Sequence, residues 1–449
     1  MAEHLLKKYS SAVPRYTSYP TAPHFHEGIG TGEYAAWLQA LDSQNRLSLY
    51  IHIPYCDRLC WFCACHTKHT LRYEPIASYL KALRSEIEAV AGLVAPSVQV
   101  TAVHFGGGSP TMLKPEDLIE LMGHLRSVFS FAHDAEISVE IDPNDVDEGR
   151  YDALAEIGMT RASIGVQDFD LKVQTTINRM QSFEQTQSVV DAVRARGAHS
   201  VNCDVLYGLP HQTLDTLRAT IEKIVSLSPD RVALFGYAHV PWMKKHQTMI
   251  PQQALPDVLA RYRQMKTAAE MLVEAGYEAI GIDHFARPGD TLALAVKEGE
   301  LRRNFQGYTD DSADALIGLG ASAIGKLPQG YVQNMVATGE YERMADAEGL
   351  CVVRGIALSA EDRVRAFVIE RIMCDFALDL SALTALYGEL ALPAIEEAKL
   401  FAAGDRDGLV HLEADHFALT ETGKPFARSI AATFDTYLSN GRGRHSLAV

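Results

Sequence analysis

The sequence predicts an α/β fold, a partial parallel (β/α)6 TIM-like barrel, and three observations carry that expectation. Six short runs rich in Val, Ile and Leu recur at 47–54, 100–108, 136–143, 161–167, 201–210 and 231–238. Stretches of helical spacing separate them, among them 76–90, 116–129 and 185–197. Each run also ends in Gly, Pro or polar residues: a cysteine cluster after the first, then GGGSP, EIDP, GVQDF, DVLYGLP and YAHVP. Strand-then-helix repeats imply parallel strands with helices outside. A parallel barrel builds its active site from the loops at the strands' C-terminal ends. Glycine and proline after a strand also serve as ordinary turn formers, but six such signals that include Glu, Gln and Asp place a site above the barrel.

The individual elements follow from spacing. The helix at 76–90 sets Ile76, Leu80, Leu83, Ile87 and Val90 on one face at three- and four-residue steps. Further helical runs are expected at 257–275 and 313–325, with a strand at 277–286 between them. The division expected is an N-terminal arm over 1–46, a barrel unit over 47–350 and a smaller, mainly helical unit over 351–449. In the last unit, GLVHLEADHFALT (408–420) reads as a hairpin, which gives a winged-helix-like outline. No repeat of fixed period is visible.

Composition narrows the function classes. The net charge is −16 and Lys–Lys or Arg–Arg occur only as pairs, so a nucleic-acid or anionic-lipid partner is not expected. No run approaches the ~18 apolar residues of a membrane span, and the N-terminus lacks a secretory pattern. Seven cysteines in 449 residues do not make a disulfide scaffold. A cytoplasmic, monomeric protein is expected. An anionic ligand of so acidic a chain requires locally placed cations.

Four of the seven cysteines, Cys56, Cys60, Cys63 and Cys65, fall within ten residues after the first strand. The spacing Cys56-x3-Cys60-x2-Cys63 sets three thiols on one short excursion. An iron–sulfur cluster held by three thiolates keeps one iron open. Zinc is the rival, although structural zinc sites favour two separated knuckles and no second one follows here. Cys65 completes a zinc site on spacing, so the residues alone leave both readings open. Cys203, Cys351 and Cys374 stand singly and read as buried, inert thiols.

The three-cysteine signature resembles that of the radical S-adenosylmethionine superfamily. PRYTSYPTA (14–22), SLYIHIPYC (48–56), CWFCAC (60–65), GGGSPT, EIDP, GVQDF, YGLP, DHFARP (283–288) and NFQGYT (304–309) together resemble the oxygen-independent coproporphyrinogen III oxidases. The likeness spans nearly the whole chain, with Ser109 and Tyr55 at positions where the family usually has Thr and Phe, and with divergence at 243–254. It implies oxidative decarboxylation of two propionates of coproporphyrinogen III to give protoporphyrinogen IX. It also implies a [4Fe–4S] cluster on Cys56, Cys60 and Cys63 and two molecules of S-adenosylmethionine. Tyr50, Gly107, Glu140 and Ile324 match positions around the cluster-bound molecule. Phe62, Gly108, Ser109, Gln167, Arg179, Asp204 and Ala238 match those around the second. Cys65 and Tyr50 are expected to serve the reaction itself, Cys65 as a non-ligand. A low-potential electron donor and an unidentified acceptor are implied as partners.

Each assignment has a plainer reading. Arg179 in INRMQ also reads as a helix-end charge, Phe62 as core, and Cys65 as a small buried thiol. For the substrate's carboxylates the sequence offers Arg15 in PRYTSYP and Arg287 in DHFARP, and both also read as structural arginines. Two other functions compete: a haem-carrying relative on the same scaffold, and a zinc-stabilised binding protein.

Overall fold

The structure is a computed structural model, and it describes residues 2–438. Six strands run in sequence order and in parallel: β1 Arg46–Ile53, β2 Gln99–Gly107, β3 Ser130–Ile141, β4 Arg161–Gln167, β5 Ser200–Tyr207 and β6 Arg231–Gly236. A seventh strand, β7 Ala315–Leu319, returns to the free side of β1 and pairs with it in parallel, Tyr50 opposite Gly318. Antiparallel pieces extend both edges, Ile324–Leu327, Gly330–Asn334 and Val352–Ala357 beyond β7, and His284–Ala286 with Glu278–Ile280 beyond β6.

Two expectations are corrected here. The segment 313–325, expected as a helix, is a strand, a turn and the start of another strand. Its ALIGLGASAIG stretch is small and apolar enough for either form. The unpaired edge of β1 decides for strand, because a buried edge must satisfy its backbone groups. The segment 277–286, expected as one strand, is a hairpin of two three-residue strands with the reversal at Gly281–Asp283.

Side chains alternate along the sheet with period two. Leu47, Leu49, Ile51 and Ile53 of β1 lie under the helices and are fully buried, as are Val201, Cys203 and Val205 of β5. The helix Glu74–Ala91 packs its expected stripe on that outer face. The opposite face is polar. Ser48, His104, Ser138, Ser163, Asn202 and His284 line a single chamber, so the sheet curves into a partial barrel around it. Parallel sheets are usually apolar on both faces, and a polar lumen therefore marks where this fold departs from simple burial.

A second core gathers Val364, Ile372, Leu383, Phe417, Ile430 and their neighbours, and it also takes Leu5, Leu6, Tyr16 and Tyr19 from the arm. Its three-stranded sheet joins Ala377–Asp379, His416–Leu419 and Val410–Glu413 beside the helices Ala360–Asp375, Leu380–Tyr387 and Leu392–Gly404. Tyr16 donates to Asp435 at 3.0 Å and the Arg428 guanidinium holds the Val13 carbonyl at 2.7 Å, so the arm docks on this unit. Among the described residues, no helix is long and apolar enough to cross a membrane.

Candidate active site

The cysteine loop leaves β1 and is fastened at both sides. Gly108 donates to the Ile53 carbonyl and Ser109 to the Tyr55 carbonyl, each at 2.8 Å, which zips the GGGSP loop to the start of the excursion. The glycines are required there. Gly107 sits at φ +115° with the His52 ring where a Cβ would stand, and a Cβ on Gly108 would meet the Tyr55 carbonyl at 2.5 Å. On the other side, residues after β6 clamp the loop: Lys244 donates to the Cys65 carbonyl at 2.7 Å, His246 to Cys63 at 2.7 Å and Gln247 to Phe62 at 2.8 Å. Gln247 also reaches the Ala238 carbonyl at 3.2 Å. Thus one side chain ties Phe62 and Ala238 together.

The loop's electrostatics suit thiolates. Cys60 is buried and lies 3.8 Å from an Arg179 nitrogen. The Cys63 thiol is brought down to about 7, by a hydrogen bond from the Cys65 thiol first, with burial opposing and Lys244 and Arg179 assisting. Cys65 is exposed, and its backbone N–H points at the Cys63 sulfur at 3.3 Å. Burial raises the thiol of Cys56. Among the described residues, no three His, Cys, Asp or Glu side chains converge where one ion would sit. A cubane cluster instead draws one thiolate to each of several irons. Three soft thiols on one loop, with a buried guanidinium beside them, fit such a group.

The strand ends carry the rest. Tyr50 on β1 donates to His52 Nδ1 at 3.0 Å, since His52 Nε2 donates to the His66 carbonyl at 3.0 Å. Its ring stacks on His104, centroids 5.8 Å apart. Glu140 on β3 accepts from His104 Nε2 at 3.1 Å and from the Gly107 N–H at 3.2 Å. Burial works against the Glu140 carboxylate, yet the His104 and Gly107 contacts hold it below the usual range. Its side chain remains 40% exposed to the open chamber, so an oxygen is left for a ligand hydroxyl. Asp204 on β5 accepts from Asn202 at 2.8 Å, and burial with Glu140 nearby pushes it up to about 6. Ile324 lies against the backbone of Gly318, the partner of Tyr50.

Arg179 is no surface charge. It is 7% exposed, donates to Asp142 at 2.8 Å and to the Gly165 carbonyl at 2.7 Å, and its Nε is buried without a partner. Gln167, at φ +71°, ends β4 beside it, with its Nε2 and an Arg179 nitrogen both near Gly165. The Ser109 hydroxyl is bonded to Thr111 at 2.9 Å. Phe62 packs among Val173, Ile177, Leu206 and Tyr237.

Beside this loop opens a cavity of about 1390 Å³. Tyr207, Phe235, Tyr237, Ala238 and Trp242 wall it, and Arg15 stands at its rim, donating to the Gly236 carbonyl at 3.1 Å. Arg287 is not there. Its guanidinium stacks 4.0 Å over Tyr277 and donates to the Ala275 carbonyl, while its backbone bonds Asp230, just before β6 begins. The hairpin at 278–286 has carried the chain back to the barrel's base, so Arg287 does not join the site.

Residues missed in the sequence include His52, His104 and Asp142. His52 is two residues after Tyr50 on β1 and Asp142 two residues after Glu140, just past the end of β3, and that parity was the available signal; His104 is placed by pairing, opposite Tyr50 on β2. Arg261, Arg303 and Arg428 also line the cavity. They come from three distant segments, and no sequence pattern joins them.

The comparisons agree with this geometry. Residues 50–224 match the Radical SAM superfamily and residues 358–426 match the HemN C-terminal domain. These matches, on a parallel barrel with three cysteines after its first strand, make the chain a radical S-adenosylmethionine protein, a class that implies a [4Fe–4S] cluster and S-adenosylmethionine. The oxygen-independent coproporphyrinogen III oxidase of Paracoccus denitrificans is 49% identical, over 98% of this chain and 97% of that one. That of Bradyrhizobium diazoefficiens is 48% identical over 97% of each. The structure of coproporphyrinogen III oxidase (HemN) from Escherichia coli superposes with a TM-score of 0.90 at 38% identity, covering 97% of this chain and 98% of that one. The chain belongs to the oxygen-independent coproporphyrinogen III oxidase family.

Proposed function

We propose that the protein converts coproporphyrinogen III to protoporphyrinogen IX without oxygen, by oxidative decarboxylation of two propionates in haem biosynthesis. The observation that carries this reading is the junction of a three-thiol loop with an aromatic-walled cavity of about 1390 Å³, joined through residues 238–247. The relatives' names favour it over a haem-carrying role.

Cys56, Cys60 and Cys63 would hold the cluster, and with S-adenosylmethionine it supplies a 5′-deoxyadenosyl radical. The chain's own residues bind and orient. The Gly107–Gly108 backbone lets the cofactor approach closely, and Glu140 offers its exposed oxygen to a ribose hydroxyl. Tyr50, Gly107, Glu140 and Ile324 gather around the first molecule. Phe62, Gly108, Ser109, Gln167, Arg179, Asp204 and Ala238 would take the second, with Asp204 and Arg179 providing its polar contacts. Cys65, beside Cys63 and exposed, serves the reaction without ligating. Each of the two decarboxylations removes one hydrogen atom from the propionate carbon next to the pyrrole, releases CO2 and leaves one electron for an acceptor. A low-potential donor supplies the electron that starts it. The same reading divides the chain into an arm (1–46), a barrel unit (47–350) and a C-terminal unit (351–449), with strand Val352–Ala357 reaching back into the barrel sheet.

The test is an anaerobic assay with coproporphyrinogen III, S-adenosylmethionine and reductant. Protoporphyrinogen IX is expected from the wild type. Cys63→Ala should lose the cluster's iron and all product, and Cys65→Ala should lose product while keeping its iron. Loss of the iron in both variants alike would overturn the three-ligand reading.

A further inference from the structure

The cavity rim holds a guanidinium that the fold has made room for and left without an anion. Arg261 projects from the helix Val258–Glu274 across the ends of β5 and β6. One nitrogen donates to the Tyr237 carbonyl at 3.0 Å, and the group lies 5.7 Å from the Tyr207 ring centre. Two glycines shape its slot. A Cβ on Gly208, the glycine of YGLP, would stand 2.3 Å from an Arg261 nitrogen, and one on Gly236 would stand 3.1 Å from another. The Nε is buried with no hydrogen-bond partner, and among the described residues no carboxylate lies within 4.0 Å of Arg261 or Arg15.

Its neighbours add like charge. Arg15 shares the Gly236 carbonyl's neighbourhood. Arg303, 9% exposed, has a nitrogen buried without a hydrogen bond and meets Asp283 only at 3.9 Å. Arg428 grips the carbonyls of Val13 and Pro14 and so holds the arm across the same rim. Burial lowers the Arg261 guanidinium, and Arg15 nearby lowers it further. Burial likewise pulls Arg428 down to about 10, with Arg15 and Arg303 adding to it. Desolvating the Arg261 guanidinium with no carboxylate in reach opposes folding. A ligand carboxylate reverses that cost, and guanidinium forks match carboxylates in shape.

We propose that Arg261, with Arg15 and Arg303, forms a carboxylate-binding site that anchors a propionate which the reaction leaves in place. This rests on the decarboxylase reading above. The choice of propionate follows from charge: an ion pair stabilises the carboxylate over neutral CO2, so anchoring the reacting group would raise its barrier. Two of the four propionates stay on the product, and an anchor for one of them carries no such penalty.

Equilibrium binding of coproporphyrinogen III to anaerobic, cluster-loaded protein without reductant tests the site directly. Arg261→Gln should weaken this binding roughly tenfold or more, the size of a lost charge-assisted contact. Arg261→Lys should fall between, and S-adenosylmethionine affinity should stay unchanged in both. Arg303→Gln should weaken coproporphyrinogen binding as well. Wild-type affinity in Arg261→Gln, or a loss of S-adenosylmethionine affinity in place of coproporphyrinogen affinity, would overturn the proposal. Failure of the wild type to bind coproporphyrinogen III would overturn both readings. A wild type that shows the expected affinity loss on substitution yet forms no protoporphyrinogen would sink the decarboxylase reading and leave the anchor standing.

Discussion

At the base of the barrel the side chains of Arg161 and Arg231 are 10% and 12% exposed, and carboxylates match them. Arg161 forks onto Glu136 at 2.7 and 2.9 Å and meets Asp310 at 3.0 Å. Arg231 pairs Asp290 at 2.7 Å and shares Asp310 at 3.2 Å. Asp310, held well below the usual carboxylate range at about 2 by both arginines despite burial, follows the hairpin that plugs the chamber. At the mouth, Arg261 has a carbonyl and an aromatic face for company, and Arg15 a carbonyl. One chain of net charge −16 has thus paired the cations closely at one end, while at the other, among the described residues, Arg261 and Arg15 have no carboxylate within 4.0 Å and Arg303 meets Asp283 only at 3.9 Å. Buried arginine alone says little about function; the partners it lacks say more.

Breaking the base should have the largest effect. Arg161→Ala removes the Glu136 partner and leaves Asp310 to Arg231 alone, and should cost about 3 kcal/mol of stability, the low end for a buried pair because Glu136 is 39% exposed, read as a fall in the denaturant midpoint. The matching change at the mouth, Arg261→Gln, should leave the midpoint unchanged or raised. Equal destabilisation by the two would erase the distinction. Arg179 is intermediate, being buried and paired with Asp142 yet keeping a free Nε. Arg179→Ala should remove about 1.5–3 kcal/mol from the binding of one S-adenosylmethionine, so titration of anaerobic protein falls from two molecules per chain towards one. Unchanged stoichiometry would return Arg179 to a structural role. The exposed Arg15 should matter least. Arg15→Ala should raise the KM for coproporphyrinogen III by a few-fold, on the order of 1 kcal/mol or less for a solvated pair, with kcat nearly kept. A normal KM would confine the anchor to Arg261 and Arg303.

The parallel strands and the cysteine loop were legible because both are written locally, one as apolar runs at regular intervals and the other as C-x3-C-x2-C. The lumen was partly legible. Glu140 and Asp204 stand out as acids within apolar strands, whereas His52 passes as an ordinary strand residue until its parity with Tyr50 is counted, and His104 until the pairing sets it opposite Tyr50. Pairing beyond the local window escaped. The 313–325 segment takes its conformation from the edge of β1, more than 260 residues away in sequence, and Arg287 was misplaced because three residues at 281–283 reverse the chain. The mouth arginines, at 15, 261, 303 and 428, converge only in three dimensions, and nothing local marks them as a set.

Hydrogen transfer tests the central claim most directly. Coproporphyrinogen III deuterated at the propionate carbon next to the pyrrole should yield protoporphyrinogen IX together with 5′-deoxyadenosine that carries one deuterium. Product formed alongside unlabelled 5′-deoxyadenosine would contradict the account.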